Sequence, residues 1–204
     1  RVAHVDGNYA TSVYLPVPAT AAWRRCAEAC TAELRALVAS DPGSLGREVH
    51  VVDADKGLGW HVTISPLLML RRHLISPLLQ KLEALAANAP ASPVFFESHV
   101  DVFVSQAGDR FFAAVPVADT SAAWLRRAAA DVLGIAESLA LMQKAPDVQE
   151  MRLHCSLAWT LGDPRPGLEA AGAERCETAW GTSWRLGGGL RGEALRSPGR
   201  ALHV

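Results

Sequence analysis

Two short stretches of this sequence carry the same pair of side chains, a histidine followed two positions later by a hydroxyl. The first pair is His61 and Thr63, and the second is His154 and Ser156. Each pair lies among alternating apolar residues, a pattern that predicts a β-strand. Residues i and i+2 of a strand share one face, so each histidine lies beside its hydroxyl. A single pair would be common by chance and is typical of a half-buried strand histidine. Two copies 93 residues apart (154 − 61) indicate a shared site.

Two histidines that face one another can divide acid–base work, because the pKa of imidazole lies near neutrality. Hydroxyls such as those of Thr63 and Ser156 can donate hydrogen bonds to phosphate oxygens. The set suits transesterification of RNA: one histidine takes the proton of a ribose 2′-OH, which attacks phosphorus, and the other protonates the departing 5′-oxygen. This chemistry needs no metal, and no carboxylate cluster is present to hold one. We therefore expect no cofactor. Which histidine is the acid stays open.

The composition is that of an ordinary globular protein. Of the 204 residues, 50% are hydrophobic and 20% are charged, which suits one sizeable domain or two small lobes. No apolar run approaches the roughly 20 residues of a membrane span, so we expect no membrane partner. The net charge of −1 argues against a protein that coats a long polyanion, but not against one that grips the end of a strand. The four cysteines lack zinc or disulfide spacing, which favours a reducing compartment.

The elements that must position the two pairs occur in two similar halves. Each half contains a strand, a capped helix that begins Ala-Ala-Trp, and then the strand with the histidine. The segment 17–25 (VPATAAWRR) is echoed by 117–127 (VADTSAAWLRR). Such a duplication predicts two lobes related by approximate twofold symmetry. We therefore predict an α+β fold with two lobes, each an antiparallel sheet with flanking helices. The two sheets face each other across a central groove, with one histidine strand on either side.

The whole chain, 1–204, is predicted to form a single domain of this kind. Its N-terminal lobe spans about 7–88 and its C-terminal lobe about 94–180. Apolar periodicity ends past Thr178, so we predict a loose tail over 181–204. The predicted strands and helices are, in turn, 9–17, 49–52, 60–65, 95–105, 110–117 and 151–161, and 21–38, 67–87 and 122–142.

The other chemistry-capable side chains have structural interpretations. Trp60 and Trp159 flank the two motifs, and strict alternation predicts that both point away from the histidines into the core. Trp23 and Trp124 occupy duplicated positions, which favours core anchors over base-stacking platforms. The histidines outside the pairs have no hydroxyl two positions later and are interpreted as surface or packing residues: His50, His73, His99 and His203.

Four segments also carry a resemblance to a known family. They are GNYATSVYLP at 7–16, HVTIS at 61–65, LRRH at 70–73, and HCSLAW at 154–159 with Gly162-Asp163 after it. In this order and spacing they are similar to the U6 small nuclear RNA phosphodiesterase family of 2H phosphoesterases, the poly(U)-trimming 3′→5′ exoribonucleases. The resemblance implies the two-lobed 2H fold and a nuclear enzyme of RNA processing. This enzyme trims uridines from the 3′ end of U6 RNA, a component of mRNA splicing, and leaves a 2′,3′-cyclic phosphate or a 3′ phosphate.

The resemblance also implies roles for individual residues. His61 and His154 fall on the catalytic histidines of the family, and Thr63 and Ser156 fall on its phosphate-binding hydroxyls. The family pattern places an aromatic residue that stacks on the terminal base six positions before the second histidine, where this chain has Val148. Position 148 therefore does not predict a preference for uridine in this chain.

Three further side chains are candidates for contact with RNA. Arg71 and Arg152 could border the groove and hold the RNA backbone, although a solvated helix face or a strand edge explains them equally well. Tyr14 could stack on a base. We expect the protein to be a monomer whose partner is the 3′ end of an RNA.

Two other functions are compatible with the sequence. The first is a 2′,3′-cyclic nucleotide phosphodiesterase that acts on small nucleotides or RNA ends. The second is a non-catalytic module that binds RNA 3′ ends. The two intact pairs argue against the binding module, because a binder would be free to lose one histidine.

Overall fold

A computed structural model describes residues 7–44, 46–88, 92–105, 108–178, 181–185 and 196–197. The helices in this part of the chain are α1 (Ala21–Ala39), α2 (Arg72–Ala87), α3 (Asp119–Ser138) and α4 (Arg165–Ala170). The strands are β1 (Asn8–Thr11), β2 (Tyr14–Pro16), β3 (Val49–Val51), β4 (His61–Thr63), β5 (Leu68–Arg71), β6 (Val94–Phe95), β7 (Asp101–Val104), β8 (Phe111–Pro116), β9 (His154–Thr160), β10 (Glu174–Thr178), β11 (Gly181–Arg185) and β12 (Arg196–Ser197).

Local sequence signals set the first helix. The side chain of Thr20 accepts a hydrogen bond of 3.4 Å from the backbone N–H of Trp23, so Thr20 is the N-cap that the sequence predicts. Apolar residues at helical spacing bury one face, including Trp23, Cys26 and Leu34. At α3 the predicted cap differs, because Ala118 holds the cap position and the Ser121 hydroxyl instead accepts a hydrogen bond from the backbone of Phe95.

One antiparallel sheet joins the two halves. Its strand order is β10-β11-β7-β8-β9-β4-β2, with β3 also paired to β9. The predicted α+β class with antiparallel pairing and flanking helices is confirmed. The sheets of the two lobes are not separate, however, because β4 pairs with β9 through Val62 and Cys155. The halves therefore meet edge to edge at the two histidine strands.

The helices pack on one face of this sheet. Residues of all four helices share a single hydrophobic core with sheet residues such as Val62, Val115 and Cys155. The histidines occupy the alternate positions of their strands, so they lie on the opposite face. In the described residues, no helix is long and apolar enough to cross a membrane.

Three predicted elements differ from the structure. The strand predicted over 9–17 is divided into β1, which pairs with β5, and β2, which pairs with β4. The helix predicted from residue 67 begins only at Arg72, because Leu68–Arg71 forms β5. The strand predicted over 95–105 is interrupted between β6 and β7.

The predicted loose tail is wrong for the part that the structure describes. Gly181–Arg185 pairs with both β10 and β7, and Arg196–Ser197 pairs with β6. Trp184 supplies buried apolar surface, and Arg185 lies opposite Asp101. Residues 186–195 and 198–204 of the predicted tail lie outside the described residues. The lobe boundaries at about 7–88 and 94–180 stay a prediction.

Candidate active site

Four side chains form a two-by-two array on the sheet. Because Val62 pairs with Cys155 in antiparallel register, His61 lies opposite Ser156 and Thr63 lies opposite His154. Opposite residues share a face with Cβ atoms about 5 Å apart, and diagonal neighbours are about 7–8 Å apart. The two histidines lie on one diagonal and the two hydroxyls on the other. This spacing leaves room for one phosphate between the histidines, so the structure brings the four predicted site residues together.

The backbone fixes the orientation of both imidazoles. His61 Nδ1 lies 2.9 Å from the carbonyl oxygen of Gly59, and His154 Nδ1 lies 2.7 Å from that of Arg152. A carbonyl oxygen can only accept, so each Nδ1 carries the proton that it donates. In the neutral ring, Nε2 then holds the free lone pair. Both histidines thus offer Nε2 for proton transfer.

Gly59 is required for the turn that delivers His61. Its φ is +59°, and a Cβ at this position would lie 2.8 Å from the carbonyl oxygen of Ala54. A side chain would clash with that backbone atom, and the conformation itself disfavours other residues. A glycine therefore places the carbonyl group that holds His61 Nδ1.

The two histidines have different aromatic neighbours. Phe103 stacks on His154 with ring centroids 4.2 Å apart and an interplanar angle of 15°. The buried Tyr14 meets His61 edge-on at 5.1 Å and 61°. Burial lowers the pKa of His154, opposed by its hydrogen bond to Arg152, and the nearby charge of His61 lowers this pKa further. His154 is thereby held in its neutral form more readily than an exposed histidine.

A buried carboxyl lies near the Phe103 side of the site. Asp101 is opposite Ala114 on β8, which is itself opposite Ser156 on β9. Its Oδ1 lies 3.5 Å from His99 Nε2 and 3.9 Å from Arg185 Nε. Burial raises the pKa of Asp101, whereas the charges of His99 and Arg185 oppose that rise.

A β-bulge changes the direction of one tryptophan. Ala113 pairs with Ala158 but Ala114 pairs with Ser156, so β9 carries one extra residue at Leu157. Leu157 and Ala158 are both fully buried, and alternation resumes one position out of phase. Trp159 is therefore half-exposed on the face of the histidines, and its predicted place in the core is wrong.

Three further tryptophans and Val148 lie with the core. Trp60 is buried and donates a 2.9 Å hydrogen bond from Nε1 to the carbonyl of Val52, as the predicted core position requires. Trp23 is buried beside it, and Trp124 is half-buried against the same core. Val148 also packs partly buried there, in a short 3₁₀ turn before β9.

The remaining candidates for RNA contact differ in position. The backbone carbonyl of Arg152 accepts the hydrogen bond from His154 Nδ1. The guanidinium carbon of Arg152 lies 5.9 Å from the ring centroid of Phe103. Arg71 is exposed on β5 in the separate β1–β5 sheet, and among the described residues it makes no hydrogen bond or ion pair with the histidine strands.

Sequence reasoning did not identify Phe103 as a site residue. Alternation places Phe103 and Asp101 on one face of their strand, but only the pairing of β7 with β8 brings that face to the site. For metal ions, the described ranges contain no group of three or more histidine, cysteine or acidic residues that could hold one.

Comparisons with known proteins identify a family and a shared fold. A family model, HVSL, described as "uncharacterised conserved protein", matches residues 1–184. A structure of Kluyveromyces marxianus Usb1 with uridine monophosphate is 15% identical with a TM-score of 0.52, covering 73% of this chain and 69% of that chain. A second Kluyveromyces marxianus Usb1 structure is 13% identical with a TM-score of 0.54, covering 78% of each chain. Among curated protein sequences, no significant match is found. At these identities, the two structures show that the fold is shared.

Proposed function

This chain belongs to the HVSL (Usb1) family, and on that basis we propose that it is an RNA phosphodiesterase that trims the 3′ oligo(U) end of U6 small nuclear RNA. It removes one nucleotide at a time from the 3′ end. The attacking group is the 2′-OH of the penultimate nucleotide, so the shortened RNA ends in a 2′,3′-cyclic phosphate, which can then open to a 3′ phosphate. The uridine monophosphate named for one Usb1 structure supports a uridine ligand.

One observation carries the proposal: two histidines lie on the diagonal of a strand pair, with both Nδ1 atoms held by backbone carbonyls. This leaves two Nε2 atoms on either side of a phosphate-sized gap. One can remove the proton of the 2′-OH while the other protonates the leaving 5′-oxygen. On the second diagonal, the hydroxyls of Thr63 and Ser156 can donate hydrogen bonds to the non-bridging oxygens, where charge increases in the transition state.

The surroundings favour one assignment of the two roles. The lowered pKa of His154 favours its neutral form, which is the form that accepts a proton. We assign His154 as the base that activates the 2′-OH. His61 then acts as the acid that protonates the leaving oxygen.

The substrate brings its own nucleophile in this mechanism. The 2′-OH is held by the ribose beside the scissile phosphate, and such intramolecular placement can supply roughly 7–11 kcal/mol of the barrier. An RNA with a 2′-deoxy penultimate nucleotide should therefore bind almost normally but keep its last residue. A 2′-deoxy terminal nucleotide should not slow the first cut, because that sugar leaves.

The decisive experiment uses a U-tailed RNA in EDTA, with products separated by length and their ends identified. A ladder of shorter RNAs that disappears with the penultimate 2′-deoxy substrate supports the proposal. Rapid loss of the last nucleotide from that substrate would mean that water attacks, and the mechanism would be wrong. The same RNA made with a terminal 2′,3′-cyclic phosphate tests the alternatives. Opening of that phosphate by water without shortening favours the cyclic phosphodiesterase, and an unchanged but bound RNA favours the binding module.

We further propose that the protein works as a monomer in the nucleus, in the 3′-end processing of U6 RNA for splicing. Light scattering of the purified chain tests its mass. A tagged full-length protein imaged in cells tests its location. Sequencing of U6 3′ ends after its depletion tests the substrate, and unchanged uridine tails would contradict this part of the proposal.

A further inference from the structure

The bulge in β9 creates a cationic aromatic surface beside the site. Trp159 lies opposite Phe112 on β8 and opposite His50 on β3, so the three side chains share the histidine face. His50 stacks on Trp159 with centroids 4.2 Å apart and an interplanar angle of 25°. The guanidinium carbon of Arg110 lies 4.8 Å from the Trp159 ring centroid. We name Trp159, His50 and Arg110 the tryptophan platform.

The platform lies about 10 Å along the strands from the scissile position. Trp159 lies opposite Phe112, and Cys155 at the centre of the site lies opposite Val115, three residues along β8. At about 3.3 Å per residue, this separation is about 10 Å. An extended RNA strand whose scissile phosphate lies at the centre of the site can therefore bring its next phosphate within reach of the Arg110 side chain.

The charge of Arg110 is available to a ligand. Its side chain is exposed, and among the residues that the structure describes it forms no ion pair. The carboxylate of the neighbouring Asp109 instead accepts a hydrogen bond from the Ser105 hydroxyl at 2.8 Å. Contact with the indole ring holds the guanidinium in place, which lowers the entropy lost when it binds an anion. A planar guanidinium is well suited to phosphate oxygens.

We propose that the tryptophan platform is a binding site for the next phosphate on the 5′ side of the scissile one, with Arg110 as the direct contact. The assignment to the 5′ side rests on the proposed function. The removed nucleotide is the last one, so no phosphate follows it. A second phosphate within reach must then belong to the 5′ side of the nucleotide that supplies the 2′-OH.

The test is the effect of a single 5′ phosphate on binding. Two uridine dinucleotides with a 2′-deoxy first sugar are compared, one with a 5′ phosphate and one with a 5′ hydroxyl, so that neither can be cleaved through the 2′-OH. We expect the 5′ phosphate to tighten binding about tenfold in the unchanged protein, as one charge-assisted contact would. Arg110→Gln should abolish this difference while leaving the affinity for the 5′-hydroxyl form unchanged.

Two further variants separate the platform from general charge. Trp159→Leu should also reduce the phosphate effect, because the guanidinium loses its support. Arg127→Gln removes the same charge from an exposed position on α3 and should keep the full effect. The salt dependence gives an independent measure: Arg110→Gln should lower the slope of log Kd against log salt by about 0.7 for the 5′-phosphate form only.

The outcomes are distinct from those of the cleavage experiment. An equal phosphate effect in the unchanged protein and in Arg110→Gln would overturn the platform site, even if U-tailed RNA is trimmed. Absence of trimming with the phosphate effect intact would overturn the proposed function and leave the phosphate site. If Trp159→Leu fails to fold, as judged by circular dichroism, Arg110→Gln on the exposed surface still decides the question.

Discussion

The two halves of the site contain the same motif in different surroundings. Pro16 lies opposite His61 on β2, and Pro116 lies opposite His154 on β8, so the halves correspond position by position. Two residues away, the correspondence ends: Tyr14 lies opposite Thr63, whereas the equivalent residue opposite Ser156 is alanine at 114.

That one difference in size changes the neighbour of each histidine. Tyr14 meets His61 at a steep interplanar angle, whereas the small Ala114 leaves space above β8 for the Phe103 ring to stack on His154. A duplicated motif therefore does not by itself determine the protonation of its histidines. The residues on the strands beside each motif do.

The largest expected effect tests what the two halves share. His61→Ala and His154→Ala should each reduce the trimming rate by about 100- to 10,000-fold, because each removes a proton carrier. His73→Ala, on the exposed start of α2, is the matched control and should keep full activity. Retention of more than about a tenth of the rate by either site variant would show that the two-histidine mechanism is wrong.

The next prediction separates the two histidines. A substrate whose scissile 5′-oxygen is replaced by sulfur needs no acid, because a thiolate leaves readily without a proton. With this substrate His61→Ala should regain most of the activity of the unchanged protein, while His154→Ala should stay impaired. Single-turnover rates for both variants measure this contrast. The opposite pattern of rescue would reverse the assigned roles.

The hydroxyls should matter less than the histidines, and about equally in the two halves. Thr63→Ala and Ser156→Ala each remove one hydrogen bond to a charged phosphate, which is worth on the order of 1.5–3 kcal/mol. We expect kcat/KM to fall by roughly 10- to 100-fold in each case. Thr63→Ser and Ser156→Thr keep a hydroxyl and should restore most of the rate. An unchanged kcat/KM in Thr63→Ala would show that only the Ser156 hydroxyl binds the phosphate.

The smallest effect tests the Phe103 stack directly. Because burial lowers the pKa of His154, this base stays neutral to lower pH. The acid limb of kcat/KM should therefore lie at lower pH than for an exposed histidine. Phe103→Ala exposes the ring to water, so the pKa of His154 rises and the acid limb moves to higher pH. Phe103→Leu should move it less, and Tyr14→Ala should leave it in place. If the acid limb does not move in Phe103→Ala, the Phe103 stack does not lower the pKa of His154.

Each pair of a histidine and a hydroxyl could be predicted from the sequence because it depends only on the two-residue period of a strand. His61 and Thr63 must share a face in any extended conformation, and so must His154 and Ser156. Their duplication also predicts that the two pairs belong together. The direct pairing of β4 with β9 could not be predicted, because a choice of neighbouring strand is not encoded locally.

Residues that depend on irregular or distant pairing were not predictable in the same way. Alternation fails for Trp159 because one extra residue at Leu157 reverses the phase, and no turn residue marks the bulge. The strand Gly181–Arg185 has Trp184 as its one large apolar residue, so it gives almost no periodic signal, yet pairing with β7 stabilises it. The stack of Phe103 on His154 requires both β7 and a small residue on β8.

The pairing of Val62 with Cys155, the central residues of the two motifs, places the approximate twofold axis of the site at that pair. Two identical copies of one half, associated around such an axis, would contain two histidines and two hydroxyls in the same array. In such a homodimer, however, every residue occurs twice, so a tyrosine at position 14 would also occupy position 114. A dimer of this kind could cleave but could not give its two histidines different neighbours. Joining both halves in one chain is the covalent change that lets an acid and a base evolve separately from the same ancestral residue.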